Sequence, residues 1–203
     1  PHSGLEPDFV TMFLDEARLA ARIRHPNVVA THDVDEGPDG LFLVMDYVEG
    51  APLHMVVKAV ARARQVLPPD VLLRIFCDVL EGLHAAHELT DENGRQLGLV
   101  HRDVSPHNVL VGADGVSRIT DFGVAHARTR LTSTRGTNLK GKVAYLSPEQ
   151  VLVGRVDRRS DVFSAGVMLY QFLTGERPFT GGGYTIVQQI LVQDPIPPSE
   201  INI

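Results

Sequence analysis

The sequence is poor in several residue types, and two of these shortages exclude whole classes of protein. It contains no tryptophan, a single cysteine (Cys77) and only three lysines among its 203 residues. One cysteine cannot form an internal disulfide, which excludes the disulfide-rich scaffolds of small secreted proteins. Cys77 lies in an apolar run, which predicts a buried and unreactive thiol. We therefore expect a reducing, cytoplasmic location.

Positive charge and long hydrophobic runs are also scarce. The net charge is −6 and no basic run is present, so neither nucleic acid nor an anionic membrane surface is expected as a main partner. The longest apolar stretch, residues 162–173, is broken by polar residues and is too short to cross a bilayer. We therefore expect no membrane segment in this chain. The stretch predicts a helix that is buried on all sides within a protein.

The remaining sequence has the composition of a folded domain, with 43% hydrophobic and 22% charged residues. Apolar periodicity predicts helices in the following segments: residues 8–24, 53–65, 68–88, 161–174 and 185–193. Turn residues between β-branched runs predict two hairpins, with these strands: residues 28–33 with 41–47, and 109–111 with 116–120. The segment at 50–52 is expected to end a strand, which puts a boundary near Gly50.

One pair of motifs indicates the chemistry. Residues 101–108 read His-Arg-Asp-Val-Ser-Pro-His-Asn, and Asp-Phe-Gly follows at 121–123. Phosphoryl transfer needs a carboxylate that accepts a hydroxyl proton, which Asp103 offers. It also needs oxygen ligands for Mg²⁺, which Asn108 and Asp121 offer. The structural alternative is that Asp103 and Asn108 only shape a turn.

These motifs, together with Ser-Pro-Glu at 147–149 and Gly-Glu-Arg-Pro-Phe at 175–179, resemble the eukaryotic-type protein kinases in their bacterial Ser/Thr branch. The resemblance implies an α+β fold. Residues 1–48 would be a truncated small β lobe, with that family's helix C, strands 4 and 5, and the hinge. Residues 49–203 would form a mostly helical large lobe that lacks its last helices, including one that supplies an arginine partner for Glu149.

The resemblance also implies a nucleotide site. Met45 would be the gatekeeper, the backbone of Asp46 and Val48 would meet the adenine edge, and Leu110 would pack below the ring. Glu16 would pair with a lysine on an earlier strand. All three lysines come after Glu16, so that lysine and a glycine-rich phosphate loop are expected upstream of Pro1. Taken alone, the apolar segment 43–48 also suits a purely structural strand.

Two departures from the family pattern occur together. Ser105 stands where these kinases carry a lysine, and Lys142 stands where they carry a threonine. Our hypothesis is that Lys142 replaces the missing cation near the γ-phosphate, a pairing that resembles kinases of the myxobacterial type. The alternative is an exposed loop lysine.

Other residues have structural or regulatory expectations. The resemblance implies that His101 packs under the Asp-Phe-Gly loop and that Phe122 is likewise a packing residue. His84 and His87 share a helix face, as a metal pair or as ordinary surface. Arg102 would bind a phosphate on the polar loop 124–142, and a kinase dimer would add that phosphate; the alternative is a disordered loop. The candidate acceptors are Thr129, Thr132, Ser133, Thr134 and Thr137.

The sequence therefore predicts a Ser/Thr protein kinase that uses ATP and Mg²⁺ to phosphorylate protein hydroxyls. Pro106, after Ser105, favours serine and threonine over tyrosine as acceptors. We expect little activity from residues 1–203 alone. The alternatives are a pseudokinase or scaffolding module, and a metal-dependent hydrolase.

Overall fold

A computed structural model describes residues 7–37, 40–122 and 142–201. The helices are α1 (Pro7–Ala20), α2 (Leu53–Arg62), α3 (Pro69–His87), α4 (Pro148–Val151), α5 (Arg158–Thr174) and α6 (Gly183–Val192). The strands are β1 (Thr31–Gly37), β2 (Gly40–Met45), β3 (Gly50–Pro52), β4 (Val109–Gly112) and β5 (Ser117–Ile119). Short 3₁₀ turns lie at Val143–Tyr145 and Pro198–Glu200.

The first hairpin is formed by β1 and β2, antiparallel, with Thr31 opposite Met45. The strand predicted at 28–33 begins three residues later because its first residues join the second sheet instead. The Val29 N–H donates to the Ile119 carbonyl (3.0 Å), and the Ile119 N–H donates to the Asn27 carbonyl (2.9 Å). These bonds tie the hairpin to β5 and hence to the rest of the described chain.

The second sheet has the order β3-β4-β5 and is antiparallel throughout. The two strands of the predicted second hairpin are present, but the prediction that residues 50–52 only end a strand is wrong. Gly50 pairs with Gly112, and a Cβ at Gly50 would lie 2.1 Å from the Val111 carbonyl oxygen. The missing side chain is what allows this pairing, and Pro52 is tolerated because β3 is an edge strand.

Helix α3 crosses beneath the second sheet and forms the centre of the core. Ile75, Val79 and Leu83 are buried along its inner face, where they join residues of β4, β5 and α5. The predicted burial of Cys77 is wrong, because its thiol lies on the outer face of this helix and is exposed. Apolar neighbours in sequence do not decide which face of a helix a residue occupies.

Helix α5 begins earlier than predicted, because the Asp157 carboxylate caps it by accepting from the Arg159 N–H (2.9 Å). The prediction that this helix is buried on all sides is wrong. Met168 is fully buried, but Val162 is 60% exposed and Leu173 is 39% exposed. In the described ranges, no helix combines the length and the hydropathy needed to cross a membrane.

Candidate active site

The segment around Asp103 is held in place by a buried carboxylate of α5, Asp161. Its Oδ1 accepts from the Arg102 N–H (2.8 Å), and its Oδ2 accepts from the His101 N–H (2.8 Å). The Asp161 side chain is 1% exposed. Two charge-assisted bonds therefore fix the backbone just before Asp103, a role for Asp161 that sequence reasoning missed although it found the motif.

His87 is the third partner of Asp161, through a 2.7 Å bond from Nε2 to Oδ2. The histidine donates, because a carboxylate only accepts. His87 is buried whereas His84 is exposed. The two histidines therefore form neither a metal pair nor a common helix surface, and both expectations for His87 are wrong.

His101 is fully buried, and both of its ring nitrogens have partners. Nδ1 accepts from the Asp103 N–H (3.2 Å), so Nε2 carries the proton and donates to the Thr120 carbonyl (2.9 Å). The ring also packs against Phe122 with the centroids 4.6 Å apart. Both residues have the packing role predicted from the sequence, with His101 joining the Asp103 loop to the segment before Asp121.

Asp103 receives two side-chain donors at one carboxylate oxygen. Asn108 Nδ2 donates to Asp103 Oδ2 (2.9 Å) and to its backbone carbonyl (2.8 Å), and Lys142 Nζ donates to the same Oδ2. Within residues 7–37, 40–122 and 142–201, no hydrogen bond reaches Asp103 Oδ1. The carboxylate is thus oriented through one oxygen, while the other accepts no hydrogen bond from the described residues.

Ser105 and Lys142 show how the two sequence departures fit together. The Ser105 side chain is fully buried, and its Oγ finds no partner in the described part of the chain. Its carbonyl accepts from the Asn108 N–H (3.0 Å). Ser105 therefore carries no charge into the site, and the ammonium group of Lys142 lies against Asp103 instead.

Asn108 and Asp121 lie next to each other through the backbone, because the Thr120 N–H donates to the Asn108 carbonyl (2.9 Å). Since Asn108 Nδ2 points to Asp103, its Oδ1 faces away and is available as a ligand. This amide oxygen and the Asp121 carboxylate are hard donors that fit a magnesium ion whose other ligands come from phosphates and water. No group of three or more His, Cys, Asp or Glu side chains arranged for a metal occurs among the residues described.

Two non-glycine residues of the site have left-handed backbones. Arg102, directly before Asp103, has φ 68°, and Asp121, directly after Thr120, has φ 64°. Such conformations cost about 1–3 kcal/mol each and persist where surrounding bonds impose them. Here the hydrogen bonds to Asp161 and Asn108 impose the left-handed conformations. The backbone strain therefore occurs in the two predicted catalytic segments.

Glu16 pairs with Arg102 in the described part of the chain, with Glu16 Oε1 3.3 Å from Arg102 Nη1. The lysine expected for Glu16 was placed upstream of Pro1, and the phosphate expected for Arg102 falls on the loop outside the described residues. Both partners therefore stay predictions. The residues are distant in sequence, so no spacing signal reveals the pair. Burial raises the pKa of Glu16 to about 7, although the Arg102 charge lowers it. The candidate phosphate acceptors between 129 and 137 lie outside the described residues.

The predicted adenine-binding residues follow β2 and lie on β4. Met45 is connected to the segment before Asp121, because Thr120 Oγ1 donates to its Sδ (3.7 Å). The Asp46 N–H donates to the Ala30 carbonyl (2.9 Å), and its carboxylate bonds to His32 Nε2 (2.6 Å). The described chain offers no backbone partner to Val48, which leaves its N–H and carbonyl open.

Leu110 lies in the middle of β4, between Pro52 and Arg118 on the neighbouring strands, and is half-buried. It lies on the strand that directly follows Asn108. The structure therefore provides a rigid strand for the residue predicted to pack below the adenine ring.

Helix α4 contacts the backbone just before Asp103. Ser147 and Gln150 form a capping box at its start, and Gln150 Nε2 also donates to the Arg102 carbonyl (2.7 Å). Glu149 accepts from Ser160 Oγ. Although burial acts to raise it, this hydrogen bond and others hold the pKa of Glu149 below its ordinary value.

Comparison with known proteins gives matches along almost the whole chain. Residues 5–198 match the protein kinase domain. The Tyrosine-protein kinase MasK of Myxococcus xanthus is 42% identical over 203 residues, which are 100% of this chain and 31% of that protein. The Serine/threonine-protein kinase PknB of Mycobacterium leprae is 37% identical over 201 residues, which are 96% of this chain and 30% of that protein.

The fold has a match among solved structures as well. The kinase domain of Mycobacterium tuberculosis PknI, a C20A mutant, superposes with a TM-score of 0.69 at 25% identity, covering 97% of this chain and 65% of that one. The chain spans about a third of the length of the two curated relatives.

Proposed function

Because the chain belongs to the protein kinase family, we propose that the Asp103 loop transfers the γ-phosphate of ATP to hydroxyl groups of protein substrates. The observation that carries this proposal is the arrangement of Asp103. Asn108 and Lys142 hold one carboxylate oxygen, and the other has no hydrogen bond from the described residues. A carboxylate fixed in this way orients a hydroxyl group and accepts its proton as the phosphoryl group is transferred.

The nucleotide and its metal are assigned by the donors available. Asn108 Oδ1 and the Asp121 carboxylate would hold Mg²⁺, while the backbone of Asp46 and Val48 would bind the adenine edge. Met45 and Leu110 would border the ring. When bound, Mg-ATP supplies the phosphoryl group and neutralises part of its charge. The protein contributes orientation, through the bonds that fix Asp103 and Asn108.

Lys142 is the proposed cation of the site. Its ammonium group contacts Asp103, where it would neutralise the carboxylate and approach the oxygens of the transferred phosphoryl group. Ser105 is uncharged and buried, so the charge that other kinases place at that position would come from the segment before the Val143–Tyr145 turn. A preorganised cation of this kind acts in catalysis by stabilising developing negative charge.

Serine and threonine are the proposed acceptors. Pro106 and the similarity to PknB, which is named as a serine/threonine kinase, support this choice. The similarity to MasK, which is named as a tyrosine kinase, makes tyrosine the competing acceptor. We place the reaction in the cytoplasm. Residues 1–48 would be the small-lobe part of the kinase domain, and residues 49–203 the large-lobe part. Autophosphorylation within a dimer would be the activating step.

The test is transfer of labelled phosphate from ATP by the full-length protein, followed by analysis of the phosphorylated amino acids. We expect phosphoserine and phosphothreonine, and loss of transfer in Asp103→Asn. Asp194→Asn, a change of the same kind at an exposed site, is the control. ATP-independent binding of partners without any transfer would favour a scaffolding role, and phosphotyrosine alone would reassign the acceptor.

A further inference from the structure

Basic side chains from several separate elements lie within electrostatic reach of His107, and one of them, Lys142, contacts Asp103. His107 is in the catalytic loop, His54 is near the start of α2, Lys142 precedes the Val143–Tyr145 turn, and Arg177 follows α5. We call these four residues the basic cluster. They are far apart in sequence, so the fold rather than a local motif brings them together.

The two histidines are in direct contact. Their rings stack with the centroids 4.1 Å apart and an interplanar angle of 22°. The His54 N–H also donates to the Pro106 carbonyl (3.0 Å), which fixes α2 against the residue before His107. His107 is exposed, and the described residues leave His54 Nδ1 without a hydrogen-bond partner. The pair thus presents a ring with polar nitrogens at the surface of the catalytic loop.

Arg177 is connected to Lys142 through the 3₁₀ turn. Its guanidinium group lies 5.4 Å from the centre of the Tyr145 ring, in a cation–π arrangement. The Tyr145 hydroxyl donates to Gln171 Oε1 (2.5 Å), which anchors the ring on α5. Lys142 directly precedes the same turn, so Lys142 and Arg177 both border it.

The groups that act electrostatically on His107 are mostly basic. Burial lowers the pKa of His107, and the charges of His54, Lys142 and Arg177 lower it further, while Asp103 alone acts to raise it. Three basic groups and one carboxylate therefore act on His107. A negative group that is added at this surface would be attracted by Lys142 and Arg177, and would accept a hydrogen bond from an imidazole N–H.

From this geometry we propose that the basic cluster binds an acidic side chain of the protein substrate, so that preferred acceptor hydroxyls have an aspartate or glutamate close by in sequence. The inference rests on the proposed kinase function, because it concerns the surface where a substrate approaches Asp103. His107 and Arg177 are the specificity-determining residues. Lys142 remains assigned to the transferred phosphoryl group.

The test compares peptides that contain one acceptor serine and differ at a single nearby position, which holds aspartate, asparagine, lysine or phosphoserine. The varied position is moved along the peptide on both sides of the acceptor serine. The full-length protein is assayed for kcat/KM, and binding of the same fluorescent peptides is measured by anisotropy. We expect the aspartate peptide to exceed its asparagine partner by roughly tenfold at one or two positions, in line with a charge-assisted hydrogen bond. A stronger preference for phosphoserine would keep the cluster as an anion site and assign it to previously phosphorylated substrates.

His107→Glu and Arg177→Gln should each reduce the aspartate-to-asparagine ratio towards one or below, in both turnover and binding. His84→Glu is the matched control, because it makes the same change at an exposed site on α3 and should leave the ratio intact. Phosphorylation without any acidic preference, or with a lysine preference, would overturn this inference but leave the kinase function standing. Failure to phosphorylate any peptide would count against the kinase function, and the anisotropy ratio would still decide the acidic preference.

Discussion

Lys142 and Asn108 donate to the same oxygen of the Asp103 carboxylate, Oδ2. Asn108 is five positions from Asp103, whereas Lys142 is 39 positions away. A short-range contact thus orients the carboxylate and a long-range contact supplies the charge. Because Ser105 is buried and neutral, the positive charge beside Asp103 comes from this long-range contact.

The first prediction concerns this cation. Lys142→Met should reduce kcat of the full-length protein by about 100-fold, the size of effect seen when one charge-stabilising group is removed from an active site. Binding of ATP should change much less, because the proposed interaction develops during transfer. The measurement is steady-state phosphorylation of a serine peptide, with ATP affinity determined separately.

A charge swap sharpens this test. Ser105→Lys combined with Lys142→Thr should recover part of the activity that Lys142→Thr alone removes, because the ammonium group would then come from the catalytic loop. Lys58→Met, which removes an exposed lysine of α2, is the control and should have no effect. Full activity in Lys142→Met would show that this lysine has no catalytic role.

The second prediction concerns Asp161. Asp161→Ala should lower the free energy of unfolding by roughly 3–5 kcal/mol, because it leaves two backbone N–H groups and His87 without their acceptor in a buried place. The comparison is Asp157→Ala, which removes the cap of the same helix and should cost only about 1 kcal/mol. Urea denaturation of both variants measures the difference. Equal losses would mean that Asp161 acts only as a helix residue.

The third prediction concerns the pH dependence that Glu16 introduces. Its pKa is raised from an ordinary 4.5 to about 7. Between pH 4.5 and about pH 7, the folded protein therefore keeps a proton on Glu16 that the unfolded chain releases. The corresponding contribution to stability is present below pH 4.5 and is lost as the pH rises through 7. Glu16→Gln should remove this loss. The stability of the variant relative to the wild type should therefore increase as the pH rises.

The measurement is urea denaturation at a series of pH values on both sides of this window. Asp15→Asn is the control, since Asp15 lies beside Glu16 on α1 with a side chain that is 64% exposed. Its profile should follow that of the wild type. Parallel profiles for wild type and Glu16→Gln would contradict the raised pKa.

The elements of the fold with strong local signals were predictable from the sequence. Helix α3 has a long apolar period and a proline at its start, and the hairpin of β1 and β2 has a turn between two apolar runs. Strand β3 was not predictable, because its three residues are extended only through pairing with β4. The exposure of Cys77 and Val162 was missed for a related reason: hydrophobicity indicates burial of a segment, and packing decides which face is buried.

The same division holds at the site. Asp103 and Asn108 lie in one short motif, and the exchange at Ser105 and Lys142 was visible as a departure from the family pattern. The pairs Glu16–Arg102 and His87–Asp161 were not visible, since each joins two elements that are distant in sequence. Residue types alone do not show such pairs, because any carboxylate is compatible with any cation until the packing of the helices is known.

The last prediction concerns Gly82, where α3 passes close to the loop before β1. A Cβ at this position would lie 2.5 Å from the Asn27 carbonyl oxygen and 3.0 Å from an Ile119 methyl group. Both neighbours belong to the bonds that join the hairpin to β5, so they have little room to move. Gly82→Ala should therefore destabilise the protein by about 1–3 kcal/mol, the usual cost of overpacking.

Gly166 of α5 provides the matched comparison, because a Cβ there meets nothing within 4 Å. Gly166→Ala should stabilise the protein by about 0.5–1 kcal/mol, since alanine is the better helix former. Urea denaturation of the two variants would thus give opposite signs for the same substitution in two helices. A gain in stability for Gly82→Ala would show that α3 can move away from Asn27, and that the contact between helix and hairpin is looser than the distances indicate.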